Sequence, residues 1–150
     1  MKVILRCSAA LLICTTWAQP SWAQFKNDEE AVKYRQGVFT AMKVHFGRIG
    51  AMVQGKQAFD AGLAQQDAEV VRMLSALPWI GFSESTDGLS SHAKPEIWME
   101  AKKFQQHAQA LQEKAAALES AAQSRDLATI KAAFGAVGKS CKTCHDAFRQ

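Results

Sequence analysis

The sequence has no apolar run approaching the 18 or more residues that a membrane-spanning helix needs. It has only 3 prolines in 150 residues, and no segment keeps up a two-residue alternation of apolar and polar side chains, so nothing supports a strand-based fold. Charge of one sign is also lacking. Lys and Arg are scattered among Asp and Glu, the pattern of a solvated surface, which argues against a nucleic-acid footprint. Cysteine is scarce, with 4 in the whole chain. What is present is globular: 48% hydrophobic and 21% charged residues, at a length suited to one domain.

The N-terminal stretch reads as an export signal. Lys2 and Arg6 give a positive start, Ala9 to Trp17 is mostly apolar, and Ser21-Trp22-Ala23 places small residues before a cut between Ala23 and Gln24. The apolar run is too short for a retained anchor helix, and bulky Ile13 before Cys14 disfavours lipoprotein processing. The expected organisation is a cleaved signal peptide over residues 1–23 and one domain over 24–150, in the periplasm. Cys7 and Cys14 leave with the signal, so Cys141 and Cys144 are the only cysteines of the mature chain. Lys2 and Arg6 leave too, so 18 basic residues become 16 against 14 acidic, and the net charge falls from +4 to +2.

Four stretches carry apolar residues at steps of three and four. The first spans about Asp28 to Gln54. It opens on a capping-box-like Asn27 and Glu30 and carries Val32, Arg35, Phe39, Met42, Phe46, Ile49 and Val53 on one side. The second spans about Asp60 to Leu77, with Leu63, Val70, Met73, Leu74 and Leu77 as its stripe, and stops at Pro78. A loop from Pro78 to about Lys94 follows, and Trp79 and Phe82 in it should fold back over something apolar. The third helix is expected to start at Pro95-Glu96 and run unbroken through Ile97, Ala101, Phe104, Ala108, Leu111, Ala115, Leu118 and Ala122. The fourth spans about Asp126 to Arg149, through Leu127, Ile130, Phe134, Val137, Cys141, Cys144 and Phe148. The fold class this predicts is all-α, an antiparallel four-helix bundle.

Cys141-Lys142-Thr143-Cys144-His145 is the attachment pattern of a c-type haem. Two thiols one helical turn apart suit the two vinyl groups on one edge of the macrocycle, and the next residue offers an imidazole to the iron. Both cysteines sit in the apolar seam of the last helix, so the haem is expected in the bundle core. Other readings of the motif fare worse. A redox dithiol wants a helix start beside a strand pattern. A zinc site needs four ligands, and three are clustered here. A disulfide between two cysteines within a helix has unsuitable geometry.

A haem motif five residues from the C-terminus, on the last helix of a bundle, resembles the cytochrome c-prime family of proteobacterial, denitrifier type. The resemblance runs over the mature chain. It includes Ala31-Val32-Lys33-Tyr34-Arg35-Gln36, His45-Phe46-Gly47-Arg48, Leu74-Ser75-Ala76-Leu77-Pro78-Trp79, Pro95-Glu96-Ile97-Trp98, and Ala132-Ala133-Phe134 through Cys141-Lys142-Thr143-Cys144-His145-Asp146-Ala147-Phe148-Arg149. It implies one covalent haem c on Cys141 and Cys144, with His145 as axial ligand. It places Phe39, where many relatives have Leu, over the distal face of the iron. Arg35 and Gln36 match positions that meet the haem propionates, Thr40, Trp79 and Phe82 match haem-packing positions, and Arg149 covers the proximal face. It also implies homodimers formed through the first two helices, to which Val38, Val44 or Ala51 would contribute.

The sixth ligand position decides function. A phenyl ring cannot bind iron, so Phe39 implies five-coordinate, high-spin iron open to nitric oxide and, more weakly, carbon monoxide. Met42 lies three residues away on the same seam. Its coordination would give the alternative, a low-spin electron carrier serving a redox partner that the sequence does not name. Met52, Met73 and Met99 read as core or surface residues, and His45, His92 and His107 as exposed or capping ones. No polar distal group of the kind acid–base catalysis uses is apparent, so an enzyme is not expected.

Overall fold

The computed structural model describes residues 24–150 apart from Ser90, and the predicted signal segment, residues 1–23, lies outside the described residues. Asn27 caps α1 (Asp28–Val53), its side chain accepting from the Glu30 amide at 2.8 Å. The Glu30 carboxylate reaches back to the Lys26 amide, one residue before the cap. The helix ends before Gly55, whose φ of +70° a residue with a Cβ adopts only at a cost. Asp60 caps α2 (Ala61–Ser75) through the Leu63 amide, and Asp126 caps α5 (Leu127–Phe148) through the amide and hydroxyl of Thr129. Between α2 and α5 lie two 3-10 turns (Pro78–Gly81 and Glu84–Thr86), the short α3 (Glu96–Met99) and α4 (Ala101–Gln123).

The architecture is the expected all-α four-helix bundle, in which α1 packs along α2, α2 along α4 and α4 along α5. The core holds Met42, Ile49, Met52, Val71, Leu111, Leu118, Ile130 and Val137. The stripes of α4 and α5 match expectation closely: Ala108, Leu111, Ala115, Leu118 and Ala122 on one side, and Ile130, Val137 and Phe148 on the other, are buried.

Three expectations need correction. The third helix is not continuous. It breaks at Glu100 (φ −114°, ψ 42°), separating a single turn from α4. No proline or glycine marks the break. Ile97 is buried and the Trp98 indole donates to the Ser83 carbonyl at 2.9 Å, so tertiary contacts hold this turn off the α4 axis. The buried face of α2 is also turned from the predicted stripe. Ala64, Asp67, Ala68, Val71 and Ser75 are inside, whereas Met73 and Leu77 are exposed. Finally Val38, read as an exposed interface residue, is buried.

The cause of the α2 rotation is Asp67, 1% exposed. It accepts from Arg48 Nε at 2.9 Å, is bonded to Arg48 Nη2 as well, and meets His45 Nδ1 at 2.7 Å, which clamps α1 to α2. Burial alone pushes the Asp67 carboxyl up; hydrogen bonds from Arg48 and His45 outweigh it and hold the group below its ordinary 3.8. A carboxyl with a depressed pKa stabilises the fold above its unfolded pKa, and the contribution is lost as pH falls through the folded value. Asp67→Asn should therefore cost roughly 1–2 kcal/mol at neutral pH, a figure discounted because Arg48 is nearly half exposed. In pH-dependent denaturation, the gap between variant and wild type should hold steady above about pH 5 and close below about pH 4.

Candidate haem-binding site

Cys141 and Cys144 lie one turn apart on α5, both free thiols and both half-buried on the seam. Burial pushes both thiols up, Cys144 to about 11, so both are held protonated at neutral pH. His145 follows and stays accessible. Its pKa is held below the ordinary value by partial burial and then by the Arg149 guanidinium, with Asp146 opposing. That favours the neutral imidazole, the form that ligates iron.

α1 and α5 meet at one end of their seam, where Phe46 stacks on Phe134 with ring centroids 4.2 Å apart. Gly50 permits this approach, since a Cβ there would stand 3.0 Å from Phe134 Cζ. Towards the cysteines, α1 presents Phe39, which packs on residues of the loop instead: Trp79 at 5.8 Å and Phe82 at 6.5 Å. Phe104 of α4 joins both at 5.6 and 4.9 Å, and Phe148 meets Phe104 at 5.3 Å. An aromatic wall thus runs from α1 to the end of α5, one turn beyond Cys144. Trp79 and Phe82 fold back over apolar neighbours, as their presence in a loop suggested. The Trp79 indole donates to the Ser75 carbonyl at 2.7 Å.

This wall fits a flat macrocycle. Phe39, Trp79, Phe82 and Phe104 are each partly exposed, leaving apolar ring surface that a flat group would cover. Arg35 fits the acidic edge of such a group. It is 2% exposed, and among the described residues its partners are uncharged: the Gly81 carbonyl at 2.6 Å, Thr86 Oγ1 at 2.9 Å and Ser91 Oγ at 3.4 Å. Burial lowers its pKa. A buried cation lacking a carboxylate is costly, and a propionate would relieve that cost.

The remaining predicted residues are placed as follows. Gln36 and Thr40 are exposed on α1, the Thr40 hydroxyl donating to the Gln36 carbonyl at 2.8 Å. Arg149 is exposed beyond α5, its amide donating to the His145 carbonyl. Met42 is buried in the bundle core with Ile49, Val71 and Val137. His45 is held by Asp67, His92 is exposed, and His107 lies against Phe148. Among the described residues no group of three or more His, Cys, Asp or Glu is disposed to hold a bare metal ion. Sequence reasoning missed Thr86, Gly81 and Ser91 as partners of Arg35. Phe104 and Phe148 were visible as seam residues, but not as parts of one wall.

A bundle with a Cys-x-x-Cys-His motif on its last helix, beside a partly exposed aromatic wall, defines a c-type haem protein. The family described as Cytochrome C' matches residues 30–149, and the chain belongs to that family. It is 47% identical over 127 residues to cytochrome c' of Alcaligenes xylosoxydans xylosoxydans, covering 85% of this chain and 98% of that one. It is 41% identical over 128 residues to cytochrome c' of Rubrivivax gelatinosus, covering 85% and 99%. Among solved structures, the nitric oxide complex of a leucine-to-isoleucine variant of the Alcaligenes xylosoxidans protein is similar at 46% identity and a TM-score of 0.80, covering 85% of this chain and 99% of that one. The cofactor is one covalent haem c. Cys141 and Cys144 are the residues that would carry it, His145 would face the iron, and Phe39, Trp79, Phe82 and Phe104 would line it. Among the described residues, no helix is long and apolar enough to cross a membrane.

Proposed function

We propose that this chain is a periplasmic haem protein that binds nitric oxide, and carbon monoxide more weakly, at five-coordinate iron, and that it is a binder and not an enzyme. The bound haem supplies an iron atom whose axial positions take a protein nitrogen on one side and a small ligand on the other. The observation that carries the reading is the placement of Phe39. It stands half-buried on the α1 seam among other rings, whereas the one seam residue with a ligating atom, Met42, is packed into the core. The solved nitric oxide complex of the relative supports the choice of ligand.

The same wall discriminates between gases. Bound oxygen draws negative charge from iron and wants a hydrogen-bond donor. Phe39 and Phe82 offer none, and the Trp79 indole already donates to Ser75. Nitric oxide needs no such donor. The family resemblance, of denitrifier type, makes nitric oxide buffering or tolerance the role we assign to this chemistry. The test is titration of the reduced holoprotein with nitric oxide under anaerobic conditions. A stoichiometric shift of the haem absorption band supports the reading, and a spectrum that nitric oxide leaves unchanged overturns it.

Dimerisation belongs to the same proposal. Val44 on α1, Met73 on α2 and Leu77 just beyond the end of α2 are exposed apolar residues, on or next to the two helices that the family resemblance assigns to the interface. Sedimentation of Val44→Lys should show a shift from dimer to monomer, and an unchanged sedimentation coefficient would remove Val44 from the interface.

A further inference from the structure

The segment from Pro78 to Lys94 is tied down at both ends of the haem site. Near α1, Arg35 Nη1 donates both to the Gly81 carbonyl and to Thr86 Oγ1, and Nη2 reaches Ser91 Oγ. Thr86 is fully buried and donates in turn to the Ser83 carbonyl at 2.8 Å. Gly81 comes so close to α1 that a Cβ there would stand 2.7 Å from the Ala31 carbonyl oxygen. At the other end, the Lys94 amide donates to the Phe148 carbonyl and the Gln150 amide to that of His92. The segment is a strap running from α1 to the chain terminus.

Arg35 does more than anchor the strap. Its guanidinium carbon lies 4.1 Å from the centre of the Phe82 ring, and Phe82 follows Gly81, whose carbonyl Arg35 holds. Phe82 and Trp79 are the two strap rings that pack on Phe39. Displacing the Gly81 carbonyl would therefore displace the rings that fix Phe39. We propose that Arg35 and Thr86 form a lock that holds the strap against α1, and that this lock positions the Phe39 wall and thereby sets how readily a ligand reaches the iron. This deepens the gas-binding reading and rests on it for the second half of the claim. A guanidinium fork suits the task because it serves several acceptors at fixed angles; an ammonium carries the same charge without that fork.

Two variants of the holoprotein test the lock. Thr86→Val keeps the shape and removes the hydroxyl, with no change of charge. Arg35→Lys keeps the charge and removes the fork. Two readouts apply: hydrogen exchange at the Phe82, Thr86 and Asp87 amides, which bond within the strap, and carbon monoxide association after mixing. Both variants should raise strap exchange by roughly tenfold or more, since each removes a hydrogen bond between a charged donor and a buried group. Both should also speed carbon monoxide binding. If Thr86→Val behaves as wild type on both readouts, the lock is refuted, and an effect of Arg35→Lys alone would leave the guanidinium fork acting through the Gly81 carbonyl without Thr86. Gly81→Ala, which forces the strap away without touching either partner's chemistry, should match Thr86→Val in direction, and wild-type exchange in it would equally refute the lock. If the wild-type iron proves six-coordinate, the gas-binding reading falls, and the exchange readout alone then decides whether the lock holds the strap.

Discussion

A Cys141→Ser, Cys144→Ser double variant should emerge with no covalently attached haem, detected as loss of haem staining on a denaturing gel. The effect is expected to be complete, because these are the only cysteines in the described chain and each serves one edge position of the macrocycle. Stability should fall with it. Phe39, Trp79, Phe82 and Phe104 are left partly exposed by the protein alone. A haem that hides roughly 100–200 Å2 of such apolar surface contributes on the order of 2.5–5 kcal/mol at ~25 cal/mol per Å2. The variant should therefore melt well below the wild type. Equal melting temperatures would mean that the wall is closed by some other route.

The second large effect is expected at Phe39. Phe39→Ala should bind carbon monoxide on the order of 10–100-fold faster, which corresponds to about 1.4–2.7 kcal/mol of barrier removed. The ring packs edge-on against Trp79 and near Phe82, so its own position is well determined and it cannot swing aside cheaply. Removing it opens space on the α1 side of the wall without introducing a polar group. Oxygen discrimination should therefore persist while the carbon monoxide rate rises. An unchanged carbon monoxide rate would take Phe39 out of the distal wall.

The parts of the molecule legible from sequence were those fixed by local spacing. The haem motif is five consecutive residues, and the seams of α4 and α5 follow regular steps of Ala, Leu, Ile and Val, so both could be read directly. α2 misled because its buried face includes a carboxylate. Asp67 is inside only because Arg48 and His45, about twenty residues earlier, meet it there, and a pattern that counts apolar residues turns the helix towards Met73 and Leu77 instead. The break at Glu100 has no local signal, being imposed by Ile97 and by the bond from Trp98 to Ser83. The Arg35 lock was illegible for the same reason. Gly81, Thr86 and Ser91 lie 46 to 56 residues away along the chain, and nothing in their own neighbourhood marks them as partners of a buried guanidinium.

All the functional proposals turn on the coordination of the iron in the protein as isolated. The most direct measurement is the EPR and optical spectrum of the purified holoprotein at neutral pH, before any ligand is added. The proposed distal place of Phe39, with Met42 held in the core, predicts a high-spin, five-coordinate spectrum. A low-spin, six-coordinate spectrum would contradict the account and make the chain an electron carrier with a protein ligand on the distal side.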